Sequence, residues 1–214
     1  TEFMVTLSVF ILLLAKYSRQ KDIIVGTTVS GRVHADTKGM LGMFVNTLVI
    51  KGEVSPDETF EHLILAVKEK CLQAYDNQEY QFEDLVEAVE KKRDLSRNPI
   101  FDFMFGLKEK KKPTEMQGLL GGKSAFIKRN VSKFDLSVLV ECMPEGYEID
   151  FEYCTDLFKQ ETIEYMARHY VTLLEEAITH PGKKLKDLHM LDLREQEKIL
   201  VDFNATNVEY SREQ

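Results

Sequence analysis

Residues 22–32, DIIVGTTVSGR, contain the strand from which the rest of the fold can be worked out. Three β-branched residues, Ile23, Ile24 and Val25, stand in a row and are followed by Gly26. Such a short apolar run is typical of a strand that is buried on both faces. Two glycines among polar residues then predict a loop over 30–40.

The segments around this strand predict a succession of helices and further strands. An almost wholly apolar segment at 3–17 predicts a buried helix, and 44–51 predicts a second strand. Ser55 and Pro56, followed by two acids, are typical of a helix start. The other predicted elements are helices at 82–91, 162–179 and 194–201, a strand at 101–107, and a hairpin of strands at 134–141 and 147–153 joined by a four-residue loop at 143–146. This order predicts an α/β, or layered α+β, domain.

The first residues favour a piece excised from a longer protein. Thr1 stands where an initiator methionine is expected, and no capping sequence precedes the apolar helix. The apolar run from Phe3 to Ala15 is too short to span a bilayer and lacks the charged start and cleavage site of a secretory signal. We therefore expect a cytoplasmic chain that has no membrane partner.

Composition narrows the class of protein. The 214 residues are 43% hydrophobic and 30% charged, with a formal net charge of -8, so a general nucleic-acid binder is disfavoured. Cys71, Cys142 and Cys154 form no CxxC pair, and the histidines form no HExxH, so no metal site or disulfide framework is expected. GxSxG and P-loop motifs are also missing.

The segment 108–122 holds a lysine cluster and a glycine run. The lysines favour a solvated loop, although a contact for an acidic partner is the alternative. Glycines between Gly118 and Gly122 lack the strand, helix and Lys-Ser/Thr ending of a phosphate cradle.

Several short motifs occur in a fixed order along almost the whole chain. Residues 22–32 resemble the signature DIxVGTPxxGR of the condensation domains of nonribosomal peptide synthetases. The other similar segments are LGMFVNTL at 41–48, NQEYQFE at 77–83, RDLSRNPI at 93–100, KFDL at 133–136, EYCTDLF at 152–158, and FNAT at 203–206 with Tyr210. The chain departs from the family pattern at Thr28, Asn77 and Gln81. We expect these departures to affect the local shape of loops and not membership of the family.

The resemblance implies a fold and a reaction. The family fold is a pair of chloramphenicol-acetyltransferase-like lobes, and this chain resembles the C-terminal lobe, a mixed β-sheet flanked by helices. The full domain joins donor and acceptor thioesters carried by two peptidyl carrier domains on 4'-phosphopantetheine arms, which enter a tunnel between the lobes. No cofactor is expected to bind this chain directly.

The family's catalytic HHxxxDG motif is absent from the sequence, so no catalytic residue is assigned and the chain alone is expected to be inactive. The resemblance makes Arg32 the candidate partner of the motif's Asp in the other lobe. A surface arginine, hydrated in the isolated lobe, is the alternative. Asn46 and Thr47 are placed near the substrate tunnel, with a hydrogen-bonded core pair as the alternative.

The resemblance also implies boundaries and partners. Residues 1–190 are expected to form the lobe, and 191–214 the linker toward a downstream adenylation domain. The N-terminal lobe of the same domain should cover an exposed apolar face, through which an isolated lobe is expected to self-associate. Two other functions remain open: a lobe of an epimerisation domain, and a non-catalytic lobe that docks carrier proteins.

Overall fold

A five-stranded mixed sheet with the order β2-β1-β3-β4-β5 organises the chain. The computed structural model describes residues 1–89, 97–109 and 131–206. The strands are β1 (Asp22–Val29), β2 (Asn46–Glu53), β3 (Phe103–Glu109), β4 (Leu136–Met143) and β5 (Gly146–Tyr153). The helices are α1 (Glu2–Ser18), α2 (Phe60–Asp76), α3 (Phe82–Val89), α4 (Gln160–Thr179) and α5 (Leu193–Leu200), with short 3-10 turns at Ala35–Gly39, Leu185–Asp187 and Asp202–Asn204. This architecture confirms the predicted mixed sheet flanked by helices.

The pairing of the strands defines two faces of the sheet. β1 and β2 are antiparallel, β1–β3 and β3–β4 are parallel, and β4–β5 is an antiparallel hairpin. Val25, Phe105 and Val138 lie on the face that packs in one core with α1, α2 and α4. We call the opposite side, which carries Thr28 and Thr47, the open face.

Helix α1 is the centre of the core. All residues from Thr6 to Leu14 are buried, which agrees with the nearly unbroken apolar sequence. Thr1 is the N-cap of this helix, because its side chain accepts a hydrogen bond from the Met4 amide at 3.4 Å. The prediction that the helix lacks a cap is therefore wrong.

Three other predictions from the sequence need correction. In β1 only Ile23 and Val25 of the β-branched run are buried, since Ile24 lies on the open face and is exposed. The hairpin turn has two residues rather than four, because Met143 pairs with Gly146. The segment from Ser55 forms a turn, and α2 begins only after Thr59, whose hydroxyl accepts from the His62 amide.

The later start of α2 has a cause in tertiary structure. The backbone of 56–61 is hydrogen-bonded to the chain that follows α4: the Leu185 amide donates to the Glu58 carbonyl at 2.8 Å, and the Glu61 amide donates to the Pro181 carbonyl at 3.0 Å. Backbone groups committed to a distant segment cannot also begin a helix, so these bonds override the local Ser-Pro signal.

Several predictions fall wholly or partly outside the described residues. They are the end of the 82–91 helix, the start of the connector at 93, most of the lysine and glycine segment at 108–122, and the end of the linker beyond residue 206. In the part that the structure describes, no helix is long and apolar enough to cross a membrane.

Candidate functional site

Arg32 organises the loop that follows β1. Its Nη1 donates to the carbonyls of Thr37 and Met40, the latter at 3.1 Å, and its Nη2 donates to that of Gly42 at 3.4 Å. The guanidinium also lies 4.3 Å from the centre of the Phe44 ring, which is a cation–π distance. The side chain is half-buried, and within this lobe its N–H groups bind backbone carbonyls. Among the described residues it forms no salt bridge with a carboxylate.

Gly31 explains why the loop closes so tightly beside Arg32. Its φ angle is 62°, a left-handed value that favours glycine. A Cβ at this position would overlap the carbonyl oxygen of Phe44. The glycine of the first motif is thus required by close contact with the second motif.

Asn46 begins β2 on the face that the helices cover and is 6% exposed. Its Nδ2 donates to the carbonyls of Gln78 and Tyr80, both at 2.8 Å. Its Oδ1 accepts from the amides of Thr47 and Phe82, at 2.8 and 3.3 Å. The side chain is a satisfied buried polar group, which agrees with the hydrogen-bonded alternative raised by the sequence.

Thr47 occupies a different environment from its neighbour. It is half-buried on the open face, directly opposite the exposed Thr28 of β1. The two hydroxyl side chains form a small polar area where β1 ends and β2 begins. The structure therefore separates the two residues that the sequence placed together: Thr47 faces outward from the sheet and Asn46 does not.

An aromatic column around Phe101, the residue that follows the motif at 93–100, joins three of the sequence motifs. The Phe101 ring lies 5.4 Å from that of Phe134 and 5.6 Å from that of Phe82, measured between centroids. The same ring covers Gly26, where a Cβ would collide with it. These contacts show that the motif residues are packed around the end of β1. The sequence motifs gave no sign of this column, because its members are distant along the chain.

Exposed apolar side chains are concentrated in the loop held by Arg32. Met43 is 89% exposed, and Leu41 is fully exposed. We define the apolar loop by its exposed members, which are Val33, Met40, Leu41, Met43 and Val45. Such a concentration is typical of a surface that meets another protein surface.

A cleft of about 380 Å³ opens between the end of α1, the start of β1 and the start of α4. Its lining is mainly apolar and includes Ile24, Phe101 and Met166, with Asp22 and Asp102 among the polar residues. Burial and the neighbouring Asp102 carboxylate raise the pKa of Asp135, and Arg97 opposes this shift. Among the described residues that line the cleft, no nucleophile stands beside a base.

A partly buried polar network, which no sequence motif indicated, connects three helices. The Tyr17 hydroxyl lies 2.7 Å from His169 Nδ1, and His169 Nε2 lies 3.0 Å from Glu195 Oε2. Burial and the Glu195 charge raise the pKa of Tyr17 to about 12, while Arg168 lowers it. The available signal was a histidine among the apolar positions of α4.

The described residues give little support for a reactive cysteine or a metal site. Burial raises the pKa of the Cys71 thiol to about 11, which makes this thiol a poor nucleophile. Over residues 1–89, 97–109 and 131–206, no cluster of three or more His, Cys, Asp or Glu side chains is placed to hold a metal ion.

Comparison with known proteins gives consistent matches. The sequence model of the condensation domain matches residues 1–200. Gramicidin S synthase 2 of Brevibacillus brevis is 41% identical over 213 residues, and surfactin synthase subunit 1 of Bacillus subtilis is 42% identical over 216 residues. These matches cover 99% and 100% of this chain but only 5% and 6% of the relatives.

A solved structure resembles the fold closely. A four-domain nonribosomal peptide synthetase bound to AMP and glycine superimposes with a TM-score of 0.82 at 26% identity, over 92% of this chain and 16% of that one.

Proposed function

This chain belongs to the condensation-domain family of nonribosomal peptide synthetases, and on that premise we propose that it is the C-terminal lobe of a domain that forms amide bonds. The observation that supports the proposal is the convergence of the family motifs on one region. The contacts are made by Gly26 and Gly31 of the first motif, by Asn46 of the second, and by Phe101, which directly follows the motif at 93–100. Motifs that are separate along the chain are thus in contact in the folded structure.

The proposed reaction needs two partners and one leaving group. The amine nitrogen of the acceptor attacks the thioester carbonyl carbon of the donor, a C–N bond forms, and the C–S bond breaks. The amine loses a proton to a base, and the thiol of the donor carrier leaves. That base belongs to the HHxxxDG motif, which this chain lacks. The lobe therefore supplies walls and positioning.

The proposed partners are the domains that would supply the base and the two substrates. They are the N-terminal lobe of the same domain, the donor and acceptor peptidyl carrier domains with their 4'-phosphopantetheine arms, and a downstream adenylation domain. We assign residues 1–190 to the lobe and 191–214 to the linker toward the adenylation domain. Helix α5 begins that linker, and Glu195 holds it against His169 of the lobe.

The site residues are given distinct roles. Arg32 holds the apolar loop toward the other lobe, and its remaining N–H groups are offered to the motif Asp, which a guanidinium binds in fork geometry. Thr47, beside Thr28 on the open face, is assigned to the tunnel wall. In both assignments the substrates pass along the open face of the sheet.

The test is an assay of the intact parent synthetase with matched donor and acceptor carriers, read by mass spectrometry of the carrier-bound products. An amide on the acceptor carrier supports the proposal. Inversion of the α-carbon without joining would assign the lobe to an epimerisation domain. Carrier binding without any chemical change would leave only a docking function.

A further inference from the structure

Asn46 lies where one strand meets a segment more than thirty residues away along the chain. The side-chain amide is enclosed by four backbone groups, and each end of the amide has two partners of the right polarity. The two carbonyls fix Nδ2 and the two N–H groups fix Oδ1, so the orientation of the amide is unambiguous. Two donors and two acceptor sites are thus all used.

Because all hydrogen-bonding groups of the Asn46 side chain are used within the protein, none is left to bind a substrate. Its partners, by contrast, belong to one short segment: the carbonyls of residues 78 and 80 and the amide of residue 82. The last of these is the first residue of α3, so Asn46 acts as a cap supplied by another element. Phe82 then continues into the aromatic column through its contact with Phe101.

We propose that Asn46 is a positioning residue of the condensation reaction: it does not touch the substrates but holds the segment 78–82 and the start of α3 against the start of β2, beside Thr47. The inference rests on the proposed function and refines it, because the sequence had placed Asn46 itself at the tunnel. Thr47 faces the open side, and Asn46 fixes the backbone on the other side of the same strand.

The informative substitution is Asn46→Asp in the intact parent synthetase. It preserves the shape and both acceptor sites but replaces two donors by an oxygen that faces two carbonyl oxygens. At about pH 8 we expect kcat/KM for amide formation to fall about tenfold or more, because the carbonyls of 78 and 80 lose their partner. Hydrogen exchange at 78–82 should rise while exchange in β4 stays unchanged.

The pH dependence distinguishes hydrogen bonding from a general loss of structure. Burial and the two facing carbonyls favour the neutral form of the new carboxyl group, whereas the amides of Thr47 and Phe82 favour its charged form. Because the position is 6% exposed, we expect the first two effects to prevail and the pKa to be raised. As the pH falls through that raised value, the protonated group again donates to one carbonyl. The ratio of the variant's kcat/KM to that of the unmodified parent should therefore rise as the pH is lowered from about 8 to about 6.

Lys51→Gln serves as the matched control, since Lys51 lies on the same strand and is exposed. It should change neither turnover nor exchange at 78–82. If the Asp variant does not fold, Asn46→Ser replaces it, because the shorter hydroxyl cannot reach both carbonyls; it should show the same local rise in exchange and the same loss of turnover.

Unchanged turnover at every pH, or a loss of turnover without faster exchange at 78–82, would overturn the positioning role. Normal turnover together with normal exchange in the Ser variant would overturn it as well. An unmodified parent that makes no amide would instead refute the proposed function.

Discussion

Arg32 is the single side chain on which the arrangement of the apolar loop depends most. Removing it deprives the carbonyls of Met40 and Gly42 of a charged donor and removes the cation that lies over Phe44. For Arg32→Ala in the isolated chain we expect a loss of roughly 1–2 kcal/mol of unfolding free energy, measured by urea denaturation. In the intact parent the loss of unfolding free energy should be larger, because the substitution also removes the proposed ion pair between Arg32 and the motif Asp of the other lobe.

Lys38→Ala is the control for this substitution, because Lys38 is an exposed cation in the same loop. It should change stability by less than about 0.5 kcal/mol. Equal losses for Arg32→Ala in chain and parent would mean that all of its important partners lie within this lobe, and the cross-lobe pair would be rejected.

Helix α5 is tied to α4 by the contact of Glu195 with His169, to which the nearby Arg168 adds its charge. His169→Leu fills similar space but leaves the Tyr17 hydroxyl and the Glu195 carboxylate without their shared partner. We expect a loss of about 1–3 kcal/mol and faster hydrogen exchange at 193–200, measured by mass spectrometry. His180→Leu, at the exposed end of the same helix α4, should leave exchange in α5 unchanged. Unaltered exchange in both variants would show that other contacts hold α5.

The elements that could be predicted from the sequence are those whose structure is determined by neighbouring residues. Strands β1 and β2 and helices α1 and α4 could be predicted because periodicity and apolar runs are local signals. The start of α2 could not, since Leu185 and Pro181 satisfy the backbone of 56–61 from more than a hundred residues away. The same holds for the site: Arg32 and Asn46 were identified by motif, whereas their carbonyl partners depend on how distant segments meet.

Among the residues that the structure describes, the two most exposed apolar side chains, Leu41 and Met43, lie in the apolar loop. Where the N-terminal lobe is absent, we expect copies of this chain to associate through that surface. Leu41→Glu with Met43→Glu should therefore shift the species seen by analytical ultracentrifugation toward the monomer. Leu65→Glu with Leu72→Glu on α2 is the matched control, because both residues are exposed apolar side chains elsewhere. A chain that is monomeric at every concentration before substitution would contradict the expectation.

If positioning belongs to this lobe and the chemistry to the N-terminal lobe, the chain and its parent must differ in amide formation. The purified 214-residue chain and the intact parent are each given the same loaded donor and acceptor carriers, and the acceptor-bound amide is quantified by mass spectrometry. We expect amide from the parent and none above the uncatalysed background from the chain, because the chain lacks the HHxxxDG motif that would supply the base for the amine. Amide formation by the chain alone, at a rate comparable to that of the parent, would contradict it.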